Sequence, residues 1–169
     1  MNKSTLLTLC LSFMVATVGF SQKFGYCNSS ALLANIPEVK QADSELKSFQ
    51  TQLQKKGQEM VKALQDKAAE LKKKEELGTI SPKDKADQEA KLAADEETIG
   101  KYEQEVYDKL AQKRDDLFSP ILDRVNAAMA DVAKEQGYIF VFDTSSSSLL
   151  YAHESLDVTT AVKAKLNIE

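Results

Sequence analysis

Few residues in this sequence are suited to covalent chemistry, and they gather near its two ends. Ser145-Ser146-Ser147-Ser148 stands close to His153, Glu154 and Asp157, which together could supply a nucleophile, a base and an orienting carboxylate. That grouping lacks the strand-to-helix elbow that exposes a reactive serine, and a run of serines between apolar segments is ordinary loop chemistry. Cys27 as a nucleophile would need an activated thiolate and a basic partner, and His153 is the single histidine of the chain. Within Phe24-Gly25-Tyr26-Cys27-Asn28 the cysteine reads instead as a small buried hydrophobe. Carboxylates are numerous but interleaved with lysines on helical faces, and no HExxH, EF-hand or P-loop pattern occurs. The residues therefore predict no enzyme, no cofactor, no metal site and no nucleotide site.

Composition leads the same way. Charged residues make up 28% of the chain with both signs interspersed, and the net charge is −4. This describes a solvated helical surface rather than a basic groove for nucleic acid, and the absence of Trp removes the best base-stacking residue. With 169 residues there is enough chain for one domain with a core, although much of it reads as a projecting arm.

That arm is the element to which everything else is attached. Apolar residues recur at Val39, Ala42, Leu46, Phe49, Leu53, Met60, Leu64, Ala68 and Leu71, mostly in steps of three, four or seven. They return at Ala86, Ala90, Ala93, Ile99, Tyr102, Val106, Leu110, Leu117, Ile121, Val125, Ala128 and Val132, which is again helix spacing. Between the limbs, Gly78-Thr79-Ile80-Ser81-Pro82-Lys83-Asp84 offers a glycine to end one helix, then Ser81 as cap, Pro82 at the first helical position and Asp84 in the first turn. The spacing predicts an antiparallel hairpin over residues 38–118, with Lys56 opposite Tyr102 or Glu103 and limbs of about 55–60 Å. Val61, Leu77, Ile80 and Leu92 fall off the seam and are candidate contacts for a partner. Lys72, Lys73 and Lys74 concentrate charge near the turn, either as a solvated helix end or as a contact for an anionic partner.

Residues 1–21 read as a removable signal peptide, with Lys3, an apolar run from Leu6 to Val18 and small residues at Gly19 and Ser21. Cys10 lies too early in that run for a lipoprotein site, and its removal would leave Cys27 without a disulfide partner. Residues 22–37 and 119–169 are predicted to form a β-rich base. Phe24–Asn28 is one strand, Tyr138–Asp143 the central strand, and Leu149-Leu150-Tyr151-Ala152 a third that makes a hairpin with the second. A helix from Val158 to Leu166 follows, capped by Asp157. Pro120 is expected to interrupt the return helix and to act as a hinge between arm and base. So small a sheet leaves its edges open, which predicts oligomerisation with Phe24, Tyr26, Tyr138, Phe140, Phe142, Leu149 and Tyr151 at the shared core.

The order of these parts, above all Gly137-Tyr138-Ile139-Phe140-Val141-Phe142-Asp143, the serine loop, Leu149-Leu150-Tyr151-Ala152 and Asp157-Val158-Thr159, resembles the Skp family, or OmpH-like periplasmic chaperones. The resemblance implies an α+β protein in which a coiled-coil hairpin arm stands on a small β-sheet base. It further implies that the base trimerises through a shared β-barrel, and that the arms enclose unfolded outer-membrane proteins without ATP. The best-known members are basic, whereas this chain has a pI of about 5.2, which argues against direct contact with anionic lipid or lipopolysaccharide. The rival reading is an exported coiled-coil adaptor that docks one specific partner.

Overall fold

The computed structural model describes residues 22–146 and 149–168. The predicted signal peptide, its cleavage site and Cys10 lie outside the described residues, as do Ser147 and Ser148. The fold is α+β: two very long helices form a hairpin, and a two-stranded sheet with short helices closes its open end.

Local signals build the hairpin. Strand β1, Lys23–Cys27, runs into helix α1, Ser29–Asn35, whose free N–H groups are met by the Asn28 side chain accepting from Ala31 at 2.9 Å. Pro37 opens helix α2, Pro37–Glu76, which is 40 residues long and so about 60 Å. Its end is closed by Gly78 at φ +64°, with the Thr79 N–H donating to the Lys74 carbonyl and the Gly78 N–H to that of Glu75. Ser81 then caps helix α3, Pro82–Gln136. It accepts from the Asp84 N–H at 3.1 Å and donates its hydroxyl to the Asp84 carboxylate at 2.6 Å. The limbs pair in the register predicted from the turn. Lys85 meets Glu75, Lys67 meets Asp95 at 2.6 Å, Lys113 meets Glu45 at 2.5 Å, and Arg124 meets Glu38 at 2.8 Å. Exposed pairs of this kind stabilise little, but all four agree on one alignment.

Two limbs offer only one seam, so burial along the arm is sparse. Ala42, Leu53 and Leu71 of α2 and Tyr102 of α3 are buried, while Leu46, Phe49, Leu64, Ile99, Val106 and Leu110 are half-buried. The dense core lies at the open end. There Ile121, Val125, Ala128 and Val132, on one face of α3, pack with Cys27, Leu32, Ile36, Val158 and Val162.

Pro120 does not interrupt α3, which runs without a break from Pro82 to Gln136. One missing N–H removes a single bond from a 55-residue ladder, and packing of Ile121 and Val125 on the core holds the helix beyond it.

The sheet departs from expectation in two respects. Strand β2, Tyr138–Asp143, pairs in parallel with β1, with Phe24 opposite Phe140 and Cys27 opposite Asp143. The hairpin arm is thus the crossover that joins two parallel strands. The inner strand is β1 rather than β2, because the far edge of β1 takes an isolated bridge from Tyr26 to Asp157. The predicted third strand is also absent: Leu149–Ala152 is irregular, and Leu150 and Tyr151 are 96% and 82% exposed. The reason lies in where the chain returns. The Thr144 N–H donates to the Cys27 carbonyl on the β2 side of β1, whereas the Val158 N–H donates to the Tyr26 carbonyl on its other side, so the chain comes back to the far edge of β1 rather than to the open edge of β2. The last helix, α4, is Thr159–Leu166, one residue shorter than predicted. Asp157 assists its start by accepting from the Thr159 N–H at 2.8 Å, although Val158 holds the cap position.

Candidate functional site

The described residues with chemical potential are each held by structural partners rather than by one another as a catalytic set. Asp143, at the end of β2, accepts the Ser29 hydroxyl at 2.6 Å and the Ser145 hydroxyl at 2.8 Å, with the backbone N–H groups of both serines on its other oxygen. His153 instead caps the 3-10 turn: the Ser155 N–H donates to its Nδ1 at 3.3 Å and the Ser155 hydroxyl lies 2.9 Å from the same nitrogen. Glu154 is exposed within that turn. Cys27 is 1% exposed, and burial pushes its thiol pKa up, against the hydrogen bond donated by Thr159. A raised pKa is the reverse of what a nucleophilic cysteine needs. The Ser29–Asp143 tie was not foreseen. Its signal was parallel pairing itself, which sets the residues just after β1 beside those that end β2.

That tie has a pH signature. Partial burial raises the Asp143 carboxyl pKa, but the hydrogen bonds from Ser29 and Ser145 outweigh it and bring it to about 2. An unfolded aspartate titrates near about 3.9, so this carboxylate stabilises the fold above that value, and the contribution disappears as pH falls from about 5 toward 2. Asp143→Asn should lower thermal stability at pH 7 and flatten its decline below pH 5. The effect will be smaller than the full linkage value, because the group is solvent-screened. Melting curves between pH 7 and pH 3 check this, and an unchanged slope would remove Asp143 as the source.

The base presents an uncovered aromatic face. Phe24, Phe140 and Phe142 form a triangle with ring centroids 6.1, 6.4 and 6.3 Å apart, and they are 40%, 59% and 48% exposed. Tyr26 and Leu149 are half-buried, and half-buried Tyr138 packs on the core with the Lys23 ammonium 4.1 Å from its ring centroid. On the arm, Val61 is 38% and Leu77 65% exposed, whereas Ile80 and Leu92 are half-buried. Lys74 is paired with Glu70 at 2.7 Å and Lys72 with Glu76 at 3.9 Å, while Lys73 is exposed. Midway along the arm, the Tyr102 hydroxyl donates to the Leu53 carbonyl at 2.9 Å. The ammonium groups of Lys56 and Lys109 lie 5.1 and 5.9 Å from the ring centroid of Tyr102.

Residues 23–166 match the family described as Outer membrane protein (OmpH-like). The chain belongs to this family. An uncharacterized protein of Aquifex aeolicus (strain VF5) is 26% identical to it over 157 residues, 93% of each chain. The OmpH-like fold is seen in the crystal structure of a candidate outer membrane chaperone (OmpH-like) from Caulobacter crescentus CB15. That match has a TM-score of 0.73 and 20% identity, and covers 86% of this chain and 84% of that one. In this OmpH-like protein the fold gathers Phe24, Phe140 and Phe142 into one surface, while Tyr151 lies 82% exposed on the irregular segment Leu149–Ala152. Among the described residues no helix is long and apolar enough to cross a membrane.

Proposed function

We propose that this OmpH-like protein is an ATP-independent holdase of the periplasm that keeps unfolded outer-membrane proteins from aggregating. The observation that carries the reading is the pairing of a long, thinly packed arm with an aromatic sheet face left uncovered in the single chain. The Caulobacter relative's designation points the same way. In this reading residues 22–37 and 119–169 form the base, residues 38–118 the arm, and residues 1–21 direct export. Three bases join through the Phe24, Phe140 and Phe142 face and the open edge of β2, giving a homotrimer whose arms surround the client. Val61, Leu77, Ile80 and Leu92, with Lys72, Lys73 and Lys74, make weak contacts with it, so that affinity comes from many arms acting together. Neither a cofactor nor catalysis is required. Contact with anionic membrane is disfavoured, since Glu70 and Glu76 neutralise Lys74 and Lys72.

The test is dilution of two unrelated β-barrel proteins from urea with the purified protein, scored by light scattering. Both should be protected, and ATP should change nothing. Alanine at Val61, Leu77, Ile80 or Leu92 alone should alter affinity by well under about 2 kcal/mol, the level of a binding hot spot. Protection of neither client would end the reading.

Pro120 is the pivot in this scheme, because the helix lacks one backbone bond next to Ile121, the first buried core residue of α3. Pro120→Ala should stiffen the junction, since an interior proline costs about 3 kcal/mol relative to alanine. Solution scattering should then show a narrower range of arm separations, and an unchanged range would place the flexibility elsewhere.

A further inference from the structure

The arm carries a groove whose chemistry suits one kind of occupant. Two adjoining depressions of about 470 and 570 Å³ share Gln54, Gly57, Tyr102 and Glu103. Their apolar floor includes Leu53, Val61, Ile99 and Val106. Along one wall run Gln50, Gln54, Gln58 and Gln65, all exposed. At about 100° per residue these four fall within a stripe about 80° wide on α2. Among the described residues, none of these four amides is hydrogen-bonded to another group of the chain.

We infer that this groove holds an extended segment of unfolded polypeptide by its backbone, a proposal that rests on the holdase reading and gives it a site. A primary amide both donates and accepts, so a row of glutamines matches the unpaired N–H and C=O groups of an extended chain whatever its sequence. The repeat distances agree. Glutamines four residues apart on a helix are separated by about 6.0 Å, and like-facing groups of a strand recur about every 6.6–6.8 Å. From Gln50 to Gln65 the row spans about 22 Å, room for six or seven extended residues. Alternate side chains of such a segment would rest on the apolar floor, as in other modes of strand recognition.

Gly57 supports this independently. Glycine is the least favourable helix residue after proline, and at Gly57 packing does not demand it: a methyl would meet the Tyr102 ring at 3.5 and 3.9 Å, ordinary contact. Gly100 thins the other limb at the same level, but only Gly57 lines the groove. Its missing side chain leaves the floor open at the centre of the glutamine row.

The experiment measures binding of a fluorescent, urea-denatured β-barrel protein to three forms of the full chain. These are the wild type, Gly57→Leu to fill the floor, and a variant with alanine at Gln50, Gln54, Gln58 and Gln65. Circular dichroism and light scattering confirm that each keeps its helices and its assembly. Both variants should bind about tenfold more weakly, the effect of losing one or two net hydrogen bonds or their backing. A seven-residue peptide of alternating Val and Thr should compete for the wild type, and its alternately N-methylated form should not. Undiminished binding by both variants, or equal competition by the methylated peptide, would overturn the groove while leaving the holdase intact. Failure of the wild type to bind any denatured barrel would overturn both.

Discussion

Phe140→Asp is expected to leave a folded chain that no longer assembles. In the single chain Phe140 is 59% exposed and belongs to the aromatic triangle with Phe24 and Phe142, so a carboxylate there stays hydrated and the base core is untouched. In an assembly that covers this face the same carboxylate would be buried without a partner, a penalty of about 3–5 kcal/mol for each copy. Light scattering should therefore give the mass of one chain, while circular dichroism keeps the helical signal. If the arms act jointly, client protection should fall by a factor of about 100 or more, because the effective concentration of neighbouring arms is lost. A variant that remains assembled would show that the aromatic face is not the interface. A monomer that still protects clients would remove the enclosed space from the mechanism.

Tyr102→Ala should have the largest effect within the arm. Tyr102 is 6% exposed in a hairpin that buries little else between base and tip, its hydroxyl donates to the Leu53 carbonyl, and the ammonium groups of Lys56 and Lys109 lie over its ring. Truncating a buried aromatic costs about 3–5 kcal/mol. With so few neighbours to share that loss, it should appear as local opening, read as faster amide exchange around residues 50–60 and 98–106 with the base still protected. Tyr102→Phe keeps the ring and removes one hydrogen bond, so about 1 kcal/mol is expected. Equal loss of protection in arm and base would mean that the two unfold together.

The local elements were legible because their causes are local. Steps of three and four placed Val125, Ala128 and Val132 on one helical face, and Gly78, Ser81 and Pro82 announced the turn through backbone rules that act within a few residues. Once the turn was placed, the alignment of Lys56 with Tyr102 followed by counting, since each limb advances at the same rise. Tyr102 was legible as a seam residue, but its bond to the Leu53 carbonyl depends on where a hydroxyl ends up in three dimensions. The two strands were legible in the sequence, but their pairing and order depended on tertiary structure. Two apolar strands far apart in sequence carry no local mark of which is inner, and the Asp157 bridge on β1 decided that β2 lies at the edge. The same bridge brings the chain back to the far edge of β1 rather than to β2, and Leu149–Ala152 is irregular although its composition reads as strand. Periodicity and capping are properties of neighbouring residues, whereas strand order is a property of where a chain returns after an arm about 60 Å long.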